Sequence, residues 1–188
     1  SGSGGILADD PGLGKTYQAL SLVIGSSGST LVVVPTCIIG QWRDIAEELL
    51  GKHAVYVHHG KRSAIIPMAR LVITTYGVMR TEKDIAECEW ERIILDEVHE
   101  IKNRRSKGSK AAMRLGNVGG HYKCNLRWGL SGTPVQNTKE ETANLFRFVL
   151  GRAFDNRDPL NVTELIKTHL LRRRKEVVLK DKLPELDV

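Results

Sequence analysis

Apolar residues along the chain fall into two kinds of run that alternate from one end to the other. Short β-branched stretches at 30–34, 54–57, 71–74, 92–95 and 128–130 predict strands. Several are apolar at successive positions, the pattern of parallel strands covered on both faces. Between them, segments 15–24, 38–50, 77–87, 109–115, 140–150 and 162–170 repeat apolar residues every three or four positions and predict helices. The alternation is that of an α/β fold, a mainly parallel sheet sandwiched between helices. Glycine-rich 116–120 and polar 152–159 read as surface loops, and Ser1-Gly2-Ser3-Gly4 as a linker or cloning scar.

A length of 188 residues fits one compact domain at roughly 150 residues per domain. With 41% hydrophobic and 27% charged residues, disordered and collagen-like classes fall away. The apolar run Leu31 to Val34, closed by Pro35, is far short of the ~20 residues of a membrane helix, and no leader pattern precedes it. The expectation is an intracellular or truncated chain with no membrane partner. Cys37, Cys88 and Cys124 are scattered without C-x-x-C spacing, which speaks against a disulfide framework and a zinc site; reduced, buried thiols are expected. A net charge of +6 suits a polyanionic partner, although a basic balance alone does not single out nucleic acid. Aromatic residues, at 5%, are too sparse for a platform that stacks single-stranded bases.

The strongest local chemistry lies in Ala8-Asp9-Asp10-Pro11-Gly12-Leu13-Gly14-Lys15-Thr16, between the apolar pair Ile6-Leu7 and a predicted helix. A glycine-rich turn lets backbone amides close on phosphate oxygens, the helix N-terminus adds its positive end, the lysine reaches the β- and γ-phosphates and the threonine hydroxyl ligates Mg²⁺. Asp9 stands where the general pattern has its first glycine. A glycine turn that merely caps a helix would share this spelling, so the other half of the site decides. It comes at Ile93-Ile94-Leu95, which runs into Asp96-Glu97-Val98-His99. An apolar strand ending in two carboxylates supplies one acid for hydrated Mg²⁺ and one to orient or deprotonate the attacking water. A nucleoside triphosphate and Mg²⁺ are the ligands these residues call for.

The remaining punctuation resembles the helicase-like ATPases of superfamily two, and among them the Swi/Snf-type double-stranded DNA translocases. Gly5 to Thr16 is similar to motif I of that family, in which an acid commonly replaces the first glycine. Val34-Pro35 with Gln41-Trp42 resembles motif Ia, and Thr74-Thr75-Tyr76 motif Ib. Asp96-Glu97-Val98-His99 with Ile101-Lys102-Asn103 resembles motif II and its tail, Ser131-Gly132-Thr133-Pro134-Val135-Gln136-Asn137 motif III, and Leu170 to Lys175 with Leu183-Pro184 the segment leaving the first lobe. Two positions depart from the pattern: Pro11 replaces a methionine and removes one amide donor, and Val98 replaces an alanine. Trp90 to Leu95 leans toward the branch of repair and transcription-termination translocases and baculovirus global transactivators, and the compact spacing toward a viral member.

The resemblance implies a RecA-like first ATPase lobe at 5–170, with 171–188 leading toward a second lobe of the same polypeptide. It implies nucleotide contacts from Asp10, Gly12, Leu13, Gly14, Lys15, Thr16 and Tyr17, metal ligation by Thr16 and Asp96, and catalytic roles for Lys15, Asp96 and Glu97. His99, Ser131, Thr133 and Gln136 would couple the nucleotide to the nucleic-acid face, and Pro35, Thr36, Thr75 and Tyr76 would touch phosphates without reading bases. For His99 a plain hydrogen bond at a strand end, and for Ser131 to Pro134 a structural turn, are the alternatives. Lys102, Arg104, Arg105, Lys107 and Lys110 either extend the nucleic-acid track or form a solvated face. Arg172 to Lys175 is either a basic patch or a hinge segment docked on the lobe. The implied activity is ATP-driven translocation on double-stranded DNA that remodels chromatin or protein–DNA complexes, in the nucleus (a host nucleus for a viral protein), with chromatin or transcription proteins as partners. Catalytic arginines would come from the second lobe, so the lobe alone is expected to be nearly inactive. The rivals are a nucleotide-independent scaffold and an RNA-helicase lobe; intact Lys15, Thr16, Asp96 and Glu97 speak against the first, and the Ile101 to Asn103 tail and the Ser131 block against the second.

Overall fold

The continuous apolar runs become strands with no solvent-facing side. In a computed structural model, which describes residues 4–60, 69–118, 121–122, 124, 126–132, 138–151 and 162–178, β1 (Gly5–Leu7), β2 (Thr30–Val34), β3 (Val55–His58), β4 (Leu71–Thr75), β5 (Arg92–Leu95), β8 (Leu126–Leu130) and β9 (Leu170–Leu171) form one sheet. Its order is β3-β4-β2-β5-β8-β1-β9, and every pairing is parallel. Two short strands, β6 (Asn117–Val118) and β7 (His121–Tyr122), pair antiparallel apart from it. The helices are α1 (Lys15–Ile24), α2 (Ile39–Leu50), α3 (Tyr76–Thr81), α4 (Asp84–Glu87), α5 (Lys107–Arg114), α6 (Lys139–Leu150), α7 (Val162–His169) and α8 (Lys175–Val178).

Successive residues of a strand point to opposite faces, and the core divides accordingly. Leu31 and Val33 of β2, with Ile93 and Leu95 of β5, pack against Met79 of α3, Ala111 and Ala112 of α5 and Phe146 of α6. Val32, Val34 and Ile94 pack on the other face against Leu20 and Val23 of α1 and Trp42 of α2. Burying both faces is what makes these runs apolar without alternation. β2, β5, β8 and β1 lie side by side in the middle of the sheet, so their carboxyl ends open onto one edge, where ligands of open α/β sheets sit.

Several boundaries differ from the sequence pattern. The single helix expected over 77–87 is two, α3 and α4, because Glu82 turns to extended backbone (φ −100°, ψ 122°) and its carboxylate meets Nε2 of buried His58. Ala54 belongs to a 3-10 turn, so β3 starts one residue later than expected. β9 was not expected, straddles the boundary at 170, and the region 116–120 includes β6. The loop expected at 152–159 lies outside the described residues. Of the thiols, Cys124 is buried and Cys88 half-buried, but Cys37 is exposed, since it lies in the turn that leaves β2 at the sheet's carboxyl edge. None of the described helices is long and apolar enough to cross a membrane.

Candidate nucleotide site and nucleic-acid face

The loop between β1 and α1 turns on two left-handed glycines, Gly12 (φ 88°) and Gly14 (φ 74°), a conformation that side chains rarely adopt. Gly14 is the N-cap of α1 and offers no side chain, so the first amides of the helix face the loop uncapped. Lys15 folds back across the turn, its ammonium donating to the carbonyls of Asp9 (2.7 Å) and Asp10 (3.4 Å). Thr16 is half-buried in the first turn, Leu13 is half-buried and Tyr17 is exposed. Gln18, one helical turn beyond Gly14, donates to the Leu13 carbonyl at 2.8 Å and steadies the turn from inside.

Asp96 ends β5 and is buried, with both carboxylate oxygens engaged. Trp42 donates its indole N–H to one at 2.7 Å, and the amide of Glu97 donates to the other at 2.9 Å. Burial pushes the Asp96 carboxyl above the ordinary value; the Trp42 hydrogen bond opposes that shift and the neighbouring Glu97 charge adds to it. Glu97 is the one non-glycine with positive φ (52°) among the described residues, a backbone placement that costs energy and holds its carboxylate toward the loop. His99 follows in a 3-10 turn with Nδ1 3.2 Å from Glu97 Oε2. Ser131, just past β8, is buried, and its amide donates to the Leu7 carbonyl of β1.

Gly132 shows how these parts converge. A Cβ built there would stand 3.4 Å from Pro11 Cγ, 3.7 Å from the Lys15 ammonium and 3.8 Å from Glu97 Oε1. Phosphate loop, acidic strand end and the strand end of β8 therefore meet around a residue with no side chain. Thr133 and Gln136 lie outside the described residues.

Asp9 is buried and clamped from the far end of the chain. The Arg173 amide donates to its Oδ1 at 2.9 Å, and the Arg173 guanidinium grips both oxygens through Nε and Nη2. Burial alone would raise the Asp9 pKa, but the Arg173 side-chain and backbone hydrogen bonds, with Gln18, outweigh it and hold the carboxyl below the ordinary value. Sequence reasoning assigned Asp9 and Arg173 no joint role; the acid pair Asp9-Asp10 set against Arg172 to Lys175 was the available signal. The stretch resembling motif Ia contains Trp42, but its hydrogen bond to Asp96, 54 residues away, is not legible in that spacing.

On the expected nucleic-acid face, Pro35 is half-exposed and Thr36 exposed. Thr75 and Tyr76 are not at the surface. Thr75 caps α3 by accepting from the Val78 amide, and Tyr76, only 6% exposed, donates its hydroxyl to the Asp96 carbonyl at 2.7 Å. A strand end that starts a helix needs the cap, and the tyrosine ring fills the core beneath the acidic turn. Lys102, Arg104, Arg105, Lys107 and Lys110 are exposed. Lys102, Arg104, Arg105, Lys110, Lys139 and Arg147 line an open bay together with Glu140 and Glu141, the latter 3.9 Å from the Lys102 ammonium, and burial together with the Arg104 charge lowers the Arg147 pKa.

An all-parallel sheet whose first strand feeds a glycine turn and an uncapped helix, beside a strand ending in two acids, defines a P-loop lobe of RecA type. Comparison with known proteins narrows this: residues 1–162 match the family model described as SNF2-related domain, and the chain belongs to that family, as a first ATPase lobe of SNF2 type. It is 36% identical over 185 residues to an uncharacterized ATP-dependent helicase of Schizosaccharomyces pombe, covering 79% of this chain and 17% of that protein. It is 30% identical over 204 residues to transcription termination factor 2 of Drosophila melanogaster, covering 81% of this chain and 19% of that protein. The Sulfolobus solfataricus SWI2/SNF2 ATPase core, solved in complex with dsDNA, superposes with a TM-score of 0.78 at 27% identity, covering 93% of this chain and 41% of that one. The chain thus spans about a fifth of the length of these curated relatives.

Proposed function

We propose that this chain is the ATP-binding lobe of a DNA-dependent ATPase that moves along double-stranded DNA and displaces or remodels what is bound there. The observation that carries the reading is the meeting of Lys15, Glu97 and Pro11 around Gly132, which brings the phosphate-loop ammonium and the acid that would activate water to one point. Backbone amides from Gly12 to Thr16 hold the phosphates, and Lys15 exchanges its two carbonyl partners for phosphate oxygens. Glu97 orients and deprotonates the water, and His99 steadies the Glu97 carboxylate.

The donor set fits Mg²⁺. A hard cation is held in such sites by one or two oxygen ligands plus substrate phosphates, and Asp96, whose charge burial disfavours, is a carboxylate that a cation would stabilise. Thr16 and Asp96 would hold it, and its chemistry is neutralisation of phosphate charge.

Double-stranded DNA as partner is supported by the dsDNA complex of the similar Sulfolobus core, by the net charge of +6 and by the exposed basic bay. Pro35 and Thr36, just past β2, are further backbone contacts to phosphate. A second RecA-like lobe of the same polypeptide completes the site with its arginines, chromatin or transcription proteins are the objects moved, and the nucleus is the place of action.

The test is a fluorescent-nucleotide titration with and without Mg²⁺. Wild-type chain is expected to bind ATP in a Mg²⁺-dependent manner, and Lys15→Ala to bind at least tenfold more weakly. Equal binding by the two would leave the nucleotide-independent scaffold as the better reading.

A further inference from the structure

The phosphate loop of this chain carries two carboxylates, Asp9 and Asp10, against a single ammonium, Lys15. By itself that balance is wrong for a polyphosphate. The deficit is corrected by the strap at 171–175, which leaves β9 and runs alongside the loop. Its backbone is fastened at four points: Ala8 donates to the Leu171 carbonyl (2.8 Å), Asp10 to the Arg173 carbonyl (3.1 Å), Arg173 to Asp9 Oδ1 (2.9 Å) and Lys175 to Asp10 Oδ2 (3.0 Å). Arg173 spends its charge on Asp9. Lys175 does not spend its charge: it is exposed, and its ammonium makes no ion pair among the described residues. A Cβ built on Gly12, at the tip of the loop, would stand 3.8 Å from that ammonium. With the strap in place, Asp9 and Asp10 are set against Lys15, Arg173 and Lys175.

We propose that Lys175 is a nucleotide-binding residue: the strap carries its ammonium to the rim of the phosphate loop, where it joins Lys15 on the phosphates of bound ATP. This rests on the ATP-site reading above. The pinned backbone and free side chain are what such a role needs, since the amide hydrogen bond to Asp10 fixes the origin of the side chain while its four-carbon stem lets the charge swing onto a ligand. Replacement of a glycine by an acid at Asp9 then has a use. The acid is the anchor for the strap that brings the extra cation.

The experiment titrates a fluorescent ATP analogue and the matching ADP analogue, with Mg²⁺, into the wild-type chain and into Lys175→Ala, Lys175→Arg, Lys15→Ala and Lys52→Ala. The last removes an exposed charge distant in sequence from the loop and controls for net charge. Lys175→Ala is expected to weaken ATP binding about 3- to 10-fold, the range for one exposed charge-assisted contact, with a smaller loss for ADP, whose charge is lower. Lys175→Arg is expected to recover most of the loss, Lys52→Ala to bind as wild type, and the thermal midpoint of Lys175→Ala to stay where it was. Wild-type ATP affinity in Lys175→Ala alongside loss in Lys15→Ala would overturn the proposal while leaving the ATP site standing. Equal losses for ATP and ADP with a lowered midpoint would make the lysine a structural part of the strap and also overturn it. Wild-type affinity in Lys15→Ala would remove the ATP site itself, and this assignment with it.

Discussion

Trp42 is 54 residues from Asp96 in sequence and hydrogen-bonds it at 2.7 Å, so a residue in the first turn of a helix bears on the state of the acid beyond a strand. The hydrogen bond favours the ionised carboxylate, and burial disfavours it more strongly. Removing the donor while keeping an aromatic ring, as in Trp42→Phe, leaves the acid buried with one oxygen unsatisfied. The expected cost is about 1.5–3 kcal/mol of stability, the range for a hydrogen bond to a charged group, read by chemical denaturation. The direction with pH is also fixed. The folded Asp96 pKa already lies above the ordinary 3.8, Trp42 lowers it, and its loss raises it further. Mg²⁺-dependent nucleotide binding, which needs the carboxylate, should therefore fall off at a higher pH in Trp42→Phe than in wild type as the solution is acidified. Superimposable pH profiles would show that Trp42 only fills space.

Between elements, one close approach lies where β8 passes the turn after β5. A Cβ on Gly129 would meet Val98 Cγ2 at 2.9 Å and its Cβ and Cγ1 at 3.0 Å, and Val98 is fully buried. The valine where the family has alanine is thus matched by a glycine on the adjoining strand. Gly129→Ala is expected to cost about 1–3 kcal/mol through overpacking, and adding Val98→Ala to recover part of that loss, so a double-mutant cycle by denaturation should show favourable coupling. Additive losses would mean that the two positions do not share the space. Elements of this kind differ in how far sequence declares them. β2 and β5 match the predicted bounds because both their faces are buried and their apolar runs are uninterrupted. The break between α3 and α4 is not legible, since it depends on Glu82 reaching His58 on a strand 24 residues earlier. β9 is two leucines long and becomes a strand only by lying beside β1. In the site, Lys15, Asp96 and Glu97 are readable because their chemistry is tied to fixed local spacing, whereas Trp42, Asp9 and Arg173 act through partners far along the chain.

For the whole molecule, the charge distribution makes a prediction of its own. If the basic bay tracks phosphates, binding of the chain to unrelated duplexes should be similar and should weaken steeply with salt, with a slope of roughly −0.9 per phosphate neutralised. Arg104→Glu combined with Arg105→Glu should flatten that slope in a fluorescence-anisotropy titration at several salt concentrations. An unchanged slope would remove the bay from the DNA-facing surface. The placement of β1 has a consequence for how the molecule comes into being. Among the described residues this strand pairs with β8 and β9, at residues 126–130 and 170–171, while β2, β3, β4 and β5 find one another within residues 30–95. As the chain leaves the ribosome, the central and outer strands on one side can assemble early, but β1 and the loop it carries must wait, unpaired, for partners made more than a hundred residues later. Of the sheet's strands, the first to be made is the last to be paired on both sides, so the phosphate loop is not anchored until the strap beyond β9 has emerged.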